Sequence, residues 1–510
     1  MAAACLGLVA GAVLKSQHLP FFWYDELATA SLVGDRSLTH MIAAVAAGAE
    51  NNPPLYPAFL WLWARVAGAG ELSLRLPSAI AMSGAVVVVW TVARRAFRTR
   101  EVAAGVLVGL LTAPTVVEQA FQARFYGFFL LWCAVALAFT VAAMTTERRG
   151  AGLAIALAIA HSLLLYTHTF GILFSGALLV SLLVSDISAR RLRLGPYLGI
   201  AGAWALYLAW VPVVVRQAGA VAAPNSWLLR PTRDDLLNLL TGQTRFLPVV
   251  AVAVVVGAWI ERAARVTSAD DAASVSRRAH AVALMLAGPA LIAVVPLVFV
   301  ISRLATPIFL DRYLLPAALG WVIVVACLAA VPRGGAIDDR RGRIVGLLWG
   351  FLFAVGAAYP VAQASAIPSA ARPSLALDQE LSGLPVVVES GHQFWPLRHY
   401  AADRDRVHFL LDWPTASDQA APPGAAQQYR LMELYAREGY LGKSVEPAES
   451  FLCTSSRFIL VNEPGFLLFE RRIAADPGFR SRPIGRYDTA VVRLVEGRSS
   501  RCAGRSPAGS

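Results

Sequence analysis

Residues 125–144 read FYGFFLLWCAVALAFTVAAM, twenty consecutive positions without a charge. A run of that length matches the roughly 20 residues that carry an α-helix across a hydrocarbon core about 30 Å thick. Arg124 stands just before the run, and Glu147-Arg148-Arg149 follow shortly after it. Working outward, similar runs occupy 76–93, 102–117, 151–166, 170–184 and 196–215. The series continues with 247–260, 279–301, 313–331 and 344–361, and residues 1–14 open it. About eleven spans are expected from these lengths, in an α-helical polytopic membrane protein.

Composition agrees. Of 510 residues 57% are hydrophobic and only 15% charged, and the mean hydropathy is +0.57. One core cannot hide that much apolar surface, so lipid must solvate part of it. The net charge of +12 would suit nucleic acid, but the arginines sit in short clusters between apolar runs, so no nucleic-acid partner is expected. One alternate set of loops holds seventeen arginines, from Arg94 to Arg343, and the other holds ten despite its longer loops. The richer set is expected in the cytoplasm. An odd number of spans then puts the C-terminal part outside.

The first outer loop, residues 19–75, carries two apolar stretches too short to cross: Leu38, Met41, Ile42 and Val45 at helical spacing, and the aromatic 55–66. Both read as helices lying in the membrane interface. From about residue 371 the composition changes. Segments 386–389, 407–411, 458–462 and 490–495 read as strands, with helices over 393–401, 427–438 and 466–475. Alternation of this kind predicts a small α/β domain over 371–496. The membrane domain is then 1–365, and the Ser-, Gly- and Arg-rich tail 497–510 reads as disordered. Cys453 and Cys502 fall in the polar part and either pair as a disulfide or stay free thiols.

Polar residues gather at the outer ends of the spans. Asp25 and Glu26 follow the aromatic run Phe21-Phe22-Trp23-Tyr24. A carboxylate there serves either as a general base towards an incoming hydroxyl or as the cap of the helix that begins there. In Glu50-Asn51-Asn52-Pro53-Pro54, Asn52 as N-cap with Pro53 at the first helical position would start the aromatic helix. The alternative is that Asn51 and Asn52 line a polar site. Arg75, Arg124, Tyr126, His168, Arg303, Arg312 and Tyr313 lie on the same face. Each arginine is either an interfacial anchor or part of a bidentate site for an anion such as a lipid phosphate.

Taken in order, these segments resemble the polyprenyl-phosphate-sugar-dependent glycosyltransferases of the GT-C fold, in the superfamily of protein O-mannosyltransferases (glycosyltransferase family 39) and lipid A aminoarabinose transferases. The resemblance is carried by Trp23-Tyr24-Asp25-Glu26, Asn52-Pro53-Pro54-Leu55-Tyr56, Leu74-Arg75-Leu76-Pro77-Ser78, Ala123-Arg124-Phe125-Tyr126, Tyr166-Thr167-His168-Thr169-Phe170-Gly171 and Arg312-Tyr313-Leu314-Leu315-Pro316. It implies transfer of a sugar from a polyprenyl monophosphate carrier to an extracytoplasmic acceptor (glycan, lipid or protein), usually with inversion, in the cell membrane. Asp25 would match the proposed base and Glu26 the adjacent acid. Arg124, Tyr126, Arg312 and Tyr313 would bind the donor phosphate, and Asn51, Asn52, Arg75, His168 and Arg303 would contact substrate. Many relatives have His or a Glu-Lys pair where this chain has Asn51-Asn52. A divalent metal is compatible with the acids present, but no ligand spacing compels one. The competing classes are a transporter or flippase of a lipid-linked glycan, a polymerase or ligase with a diphosphate donor, and an inactive scaffold.

Overall fold

The computed structural model describes residues 1–146, 150–221, 227–262, 272–330, 339–375, 379–418, 421–466 and 468–502. Arg148, Arg149, Arg265, Arg333 and tail residues 503–510, all used in the sequence reading, lie outside them. The chain forms two compact units. The first comprises Met1–His18, Asn52–Pro212 and Arg230–Ser369, and the second Leu19–Asn51, Val213–Leu229 and Ala370–Ser510.

The expected apolar runs are helical over most of their described length, with breaks at 112–113, 208–210 and 315–316. Among the described residues, five helices are long and apolar enough to cross a membrane by themselves: Glu71–Ala93, Tyr126–Thr145, Gly171–Ser188, Val275–Leu304 and Arg343–Ser365. Three more runs are broken into pairs, including Thr99–Leu111 with Pro114–Ala120, bent by 70°, and Arg233–Gln243 with Leu247–Val255, bent by 48°. The first bend has a local cause: Pro114 has no N–H to continue a helical ladder and excludes helical geometry at the residue before it. Shorter helices occupy Ala2–His18, Ala151–Thr167 and Ala317–Ala329. Large apolar side chains at helical spacing, among them Ile155 and Ile159, then Val180, Val184 and Ile187, stand exposed. Apolar stripes left open in this way are what lipid solvates.

Close helix packing depends on small residues. Gly105 and Gly109 lie four apart, and a Cβ added at Gly105 would come within 2.1 Å of the Val322 carbonyl oxygen. Backbones approach that closely only through a small-xxx-small face.

The second unit holds a six-stranded sheet in the order β3-β2-β1-β4-β6-β5. Its strands are β1 Val386–Val388, β2 Val407–Leu411, β3 Val445–Pro447, β4 Arg457–Asn462, β5 Phe479–Tyr487 and β6 Ala490–Gly497. Strands β1 to β4 run parallel, and β6 pairs antiparallel with both β4 and β5. All three residues of β1 are buried, as a central parallel strand covered on both faces requires. Two strands, β3 and β5, are absent from the sequence reading. Edge strand β5 carries Pro483 and three arginines and is mostly exposed, so it has no alternating apolar signal. Cys453 and Cys502 form a disulfide.

Membership of the second unit differs from the expected split at 365/371, because two distant segments join the sheet domain. The Tyr24 ring packs 4.4 Å from His392 and 5.3 Å from Trp395. Phe22 N–H donates to the Tyr400 hydroxyl at 2.7 Å. The Tyr435 hydroxyl reaches Ala28 and Ala49 carbonyl oxygens, both at 3.1 Å. Gln217 Nε2 donates to the Val45 and Glu50 carbonyls. Periodicity within 19–51 or 213–229 carries no trace of partners found hundreds of residues away.

Candidate functional site

In the first unit a cluster forms around His168, in the three-residue connection between Ala151–Thr167 and Gly171–Ser188. The imidazole stacks on Phe129 (centroids 4.5 Å apart, 15° between planes). Phe125 and Tyr313 meet it edge-on at 5.0 and 5.1 Å, and Tyr126 lies at 6.2 Å. His168 Nδ1 accepts from Phe170 N–H at 3.0 Å, so the ring proton belongs on Nε2. Nε2 is buried and meets no hydrogen-bond partner among the described residues. Burial, then the charges of Arg124 and Arg312, push His168 down to about 3, so it is a neutral N–H donor at any physiological pH.

Both arginines act on that ring by their charge. Arg124 is buried, with its guanidinium carbon 4.7 Å from the Phe125 ring, and its backbone carbonyl accepts from the Ser78 hydroxyl at 3.1 Å. Gly127 permits this approach, since a Cβ there would fall 2.2 Å from the Ser78 carbonyl oxygen. Arg312 sits in the short helical turn Asp311–Leu314, where Asp311 accepts from the Thr115 hydroxyl at 3.1 Å. Beside that contact, an apolar cavity of about 780 Å³ is lined by Pro114, Thr241, Arg245, Leu247, Pro248 and Ala251.

Asn52 does not cap the aromatic helix, contrary to expectation. That helix runs Leu55–Ala67 with Pro54 at its N-cap. Proline excludes helical geometry at the residue before it, so Pro53-Pro54 delay the start. Asn52 is thereby released, and its Oδ1 accepts from Thr169 N–H at 3.4 Å, next to His168. Tyr56, one turn on, packs on Phe125 and Phe128.

Two further arginines of the expected set also belong to the first unit. Arg75 is almost fully buried and donates to Ser16 at 3.4 Å, joining the helices Ala2–His18 and Glu71–Ala93. Arg303 is exposed and donates to the Pro231 carbonyl at 3.1 Å. Phe125 and Phe170 stand in the quoted motifs without a site role and Phe129 in none of them, because an aromatic residue inside or beside an apolar span gives no local sign of what it stacks on.

Asp25, Glu26 and Asn51 belong to the second unit. Asp25 is half-buried in the first turn of the helix Tyr24–Val33. Glu26 is fully buried, and its carboxylate accepts from Trp23 N–H at 3.3 Å, which is the reach-back of a capping box. Asn51 is exposed and donates its N–H to Glu50 Oε1 at 2.9 Å. Among the described residues no three His, Cys, Asp or Glu gather to hold a metal ion.

Residues 51–214 match the family model described as dolichyl-phosphate-mannose-protein mannosyltransferase. That stretch contains Asn52, Arg75, Arg124, Tyr126 and His168 but not Arg312 or Tyr313. No curated protein matches the sequence. Among solved structures, the chain is similar to the crystal structure of ArnT from Cupriavidus metallidurans bound to undecaprenyl phosphate. The TM-score is 0.53 at 15% identity, with 99% of each chain covered. The fold is therefore GT-C-like: a helical membrane unit with a small C-terminal sheet domain.

Proposed function

We propose that this chain is a membrane glycosyltransferase that moves a sugar from a polyprenyl monophosphate carrier to an acceptor hydroxyl outside the cytoplasm, with inversion. One observation carries the reading: the charges of Arg124 and Arg312 both act on a buried His168 whose Nε2 N–H is left to donate, within the membrane unit. Two cations and a neutral donor suit the phosphate of a polyprenyl-linked sugar, a diester that leaves as the monoester. The family match over 51–214 and the fold shared with ArnT, whose structure holds undecaprenyl phosphate, support the same donor. The Cys453–Cys502 disulfide supports an oxidising, extracytoplasmic location for the second unit.

In this scheme Asp25 takes the proton of the acceptor hydroxyl as its oxygen attacks the anomeric carbon. The bond from that carbon to the phosphate oxygen breaks on the opposite face. Arg124 and Arg312 stabilise the charge that grows on the leaving phosphate, and His168 adds an uncharged hydrogen bond. Tyr126 and Tyr313 wall the phosphate, and Asn52 holds the turn that carries His168. Asn51, Arg75 and Arg303 are assigned supporting roles, and Glu26 holds the turn in which Asp25 sits.

The test incubates the purified full chain in detergent with a panel of polyprenyl-phosphate sugars. One member should be consumed, and Asp25→Asn should abolish consumption while melting temperature is kept. Turnover near wild type in that variant rejects Asp25 as base. If no member of the panel is consumed or bound, the donor class is rejected.

A further inference from the structure

The second unit contains a polar pocket that the proposed reaction does not use. It measures about 240 Å³ and is lined by Ser31, Arg398, His399, Arg404, Asp405 and Tyr440, among others. That is below the range typical of drug-sized ligands and suits a single small polar unit.

The lining combines two kinds of group. The helix Gly391–Tyr400 and the turn after it supply Arg398 and Arg404. Arg398 is held in place because its Nε donates to the Ser444 hydroxyl at 2.7 Å. Its Nη1 lies 3.4 Å from Asp405 Oδ1, and the Asp405 side chain is 87% exposed. An exposed ion pair of that length is weak, so Asp405 stands where an incoming oxyanion would displace it.

The hydroxyls in the lining are committed as donors: Ser31 to the Leu27 carbonyl at 2.8 Å and Tyr440 to Asp35 at 2.6 Å. Their lone pairs can therefore only accept. Cationic donors and hydroxyl acceptors lining one pocket match a ligand that carries both an oxyanion and hydroxyl groups.

We infer that this pocket binds a sugar unit bearing a phosphate or carboxylate group. Ser31 lies six residues after Asp25 on one helix, a rise of about 9 Å along its axis. If Asp25 is the base proposed above, the pocket is an acceptor subsite. Only that last statement depends on the proposed function.

The test measures binding of glucose 6-phosphate to the full chain in detergent by equilibrium dialysis, with glucose and inorganic phosphate as competitors. Arg404→Gln should weaken glucose 6-phosphate about tenfold, as loss of one charge-assisted contact implies. Asp405→Asn should tighten it, a gain that misfolding cannot imitate. Affinity for polyprenyl phosphate should be the same in both variants. Unchanged glucose 6-phosphate binding in both variants overturns the proposal, and so does glucose competing as well as its phosphate. Inorganic phosphate binding as tightly as glucose 6-phosphate overturns the sugar part. Arg312→Ala separates the two sites: it should spare glucose 6-phosphate, whatever it does to polyprenyl phosphate.

Discussion

His168 shows how much one side chain depends on its neighbours. In an exposed loop it would titrate near neutrality, whereas here aromatic burial and two guanidinium groups hold it neutral. Polyprenyl-phosphate affinity should therefore show no histidine titration between pH 5 and 8, and a step near pH 6.5 in a binding profile would contradict the assignment. His168→Phe should weaken binding about fivefold to tenfold through the lost hydrogen bond. Arg312→Ala should cost about 10–100-fold, because it removes a charge-assisted contact; dialysis against a labelled lipid phosphate measures both. In the second unit, hydrogen bonding and charge from Asp35, with a smaller contribution from Glu438, raise His40 above its ordinary 6.5. Burial acts to raise Asp35, but hydrogen bonds from Tyr440, Ser37 N–H and His40 outweigh it and hold Asp35 below its ordinary 3.8. The signs are opposite. The His40 contribution is complete below pH 6.5 and fades as pH rises through its raised value. That of Asp35 is complete above pH 3.8 and fades as pH falls through its lowered value. Melting temperature followed against pH should lose part of its alkaline decline in His40→Ala.

At the level of elements, the membrane helices are held by close backbone approach and by buried polar clamps. Gly105→Val should drive a side chain into the Val322 carbonyl and force the helices apart. The expected loss is about 1–3 kcal/mol, read as a lower melting temperature in detergent. A clamp joins three segments at the other set of helix ends. Asp186 is fully buried; Arg193 Nε donates to it at 3.1 Å and the Tyr197 hydroxyl at 3.2 Å. Arg191 and Arg193 also reach the carbonyls of Met144 and Ala143. Asp186→Ala leaves a guanidinium facing vacated space and should destabilise by about 3–5 kcal/mol, while Asp186→Asn, which keeps part of the hydrogen bonding, should lose less. Elements of this kind were readable one by one. Length and hydropathy located every apolar run, since a helix in lipid satisfies its own backbone. The bend at Pro114 and the delayed start at Leu55 follow from proline stereochemistry, whereas the exposed, arginine-rich strand Phe479–Tyr487 had no pattern to detect.

For the molecule as a whole, topology and the second unit make linked predictions. Alkaline phosphatase fused after Pro464 should be active, as an extracytoplasmic C-terminal part requires; an active cytoplasmic reporter at that point would mean an odd error in the span count. Removing the Cys453–Cys502 link, which closes a loop with a sequence separation of 49, should cost the second unit up to roughly 4 kcal/mol, seen as faster proteolysis of Cys453→Ser. By itself the sequence determined the polytopic membrane class, the apolar runs, an α/β domain after residue 370 and a short roster of polar residues at helix ends. Those features rest on local physics: hydropathy, periodicity and charge placement act over a few turns of chain. Tertiary structure alone decided that Asn52, Arg124, His168 and Arg312 share one cluster, that Arg303 donates to the Pro231 carbonyl, and that residues 19–51 and 213–229 join the unit whose sheet begins at residue 386. Contacts across such separations arise from packing and burial between elements, and no window of sequence contains both partners.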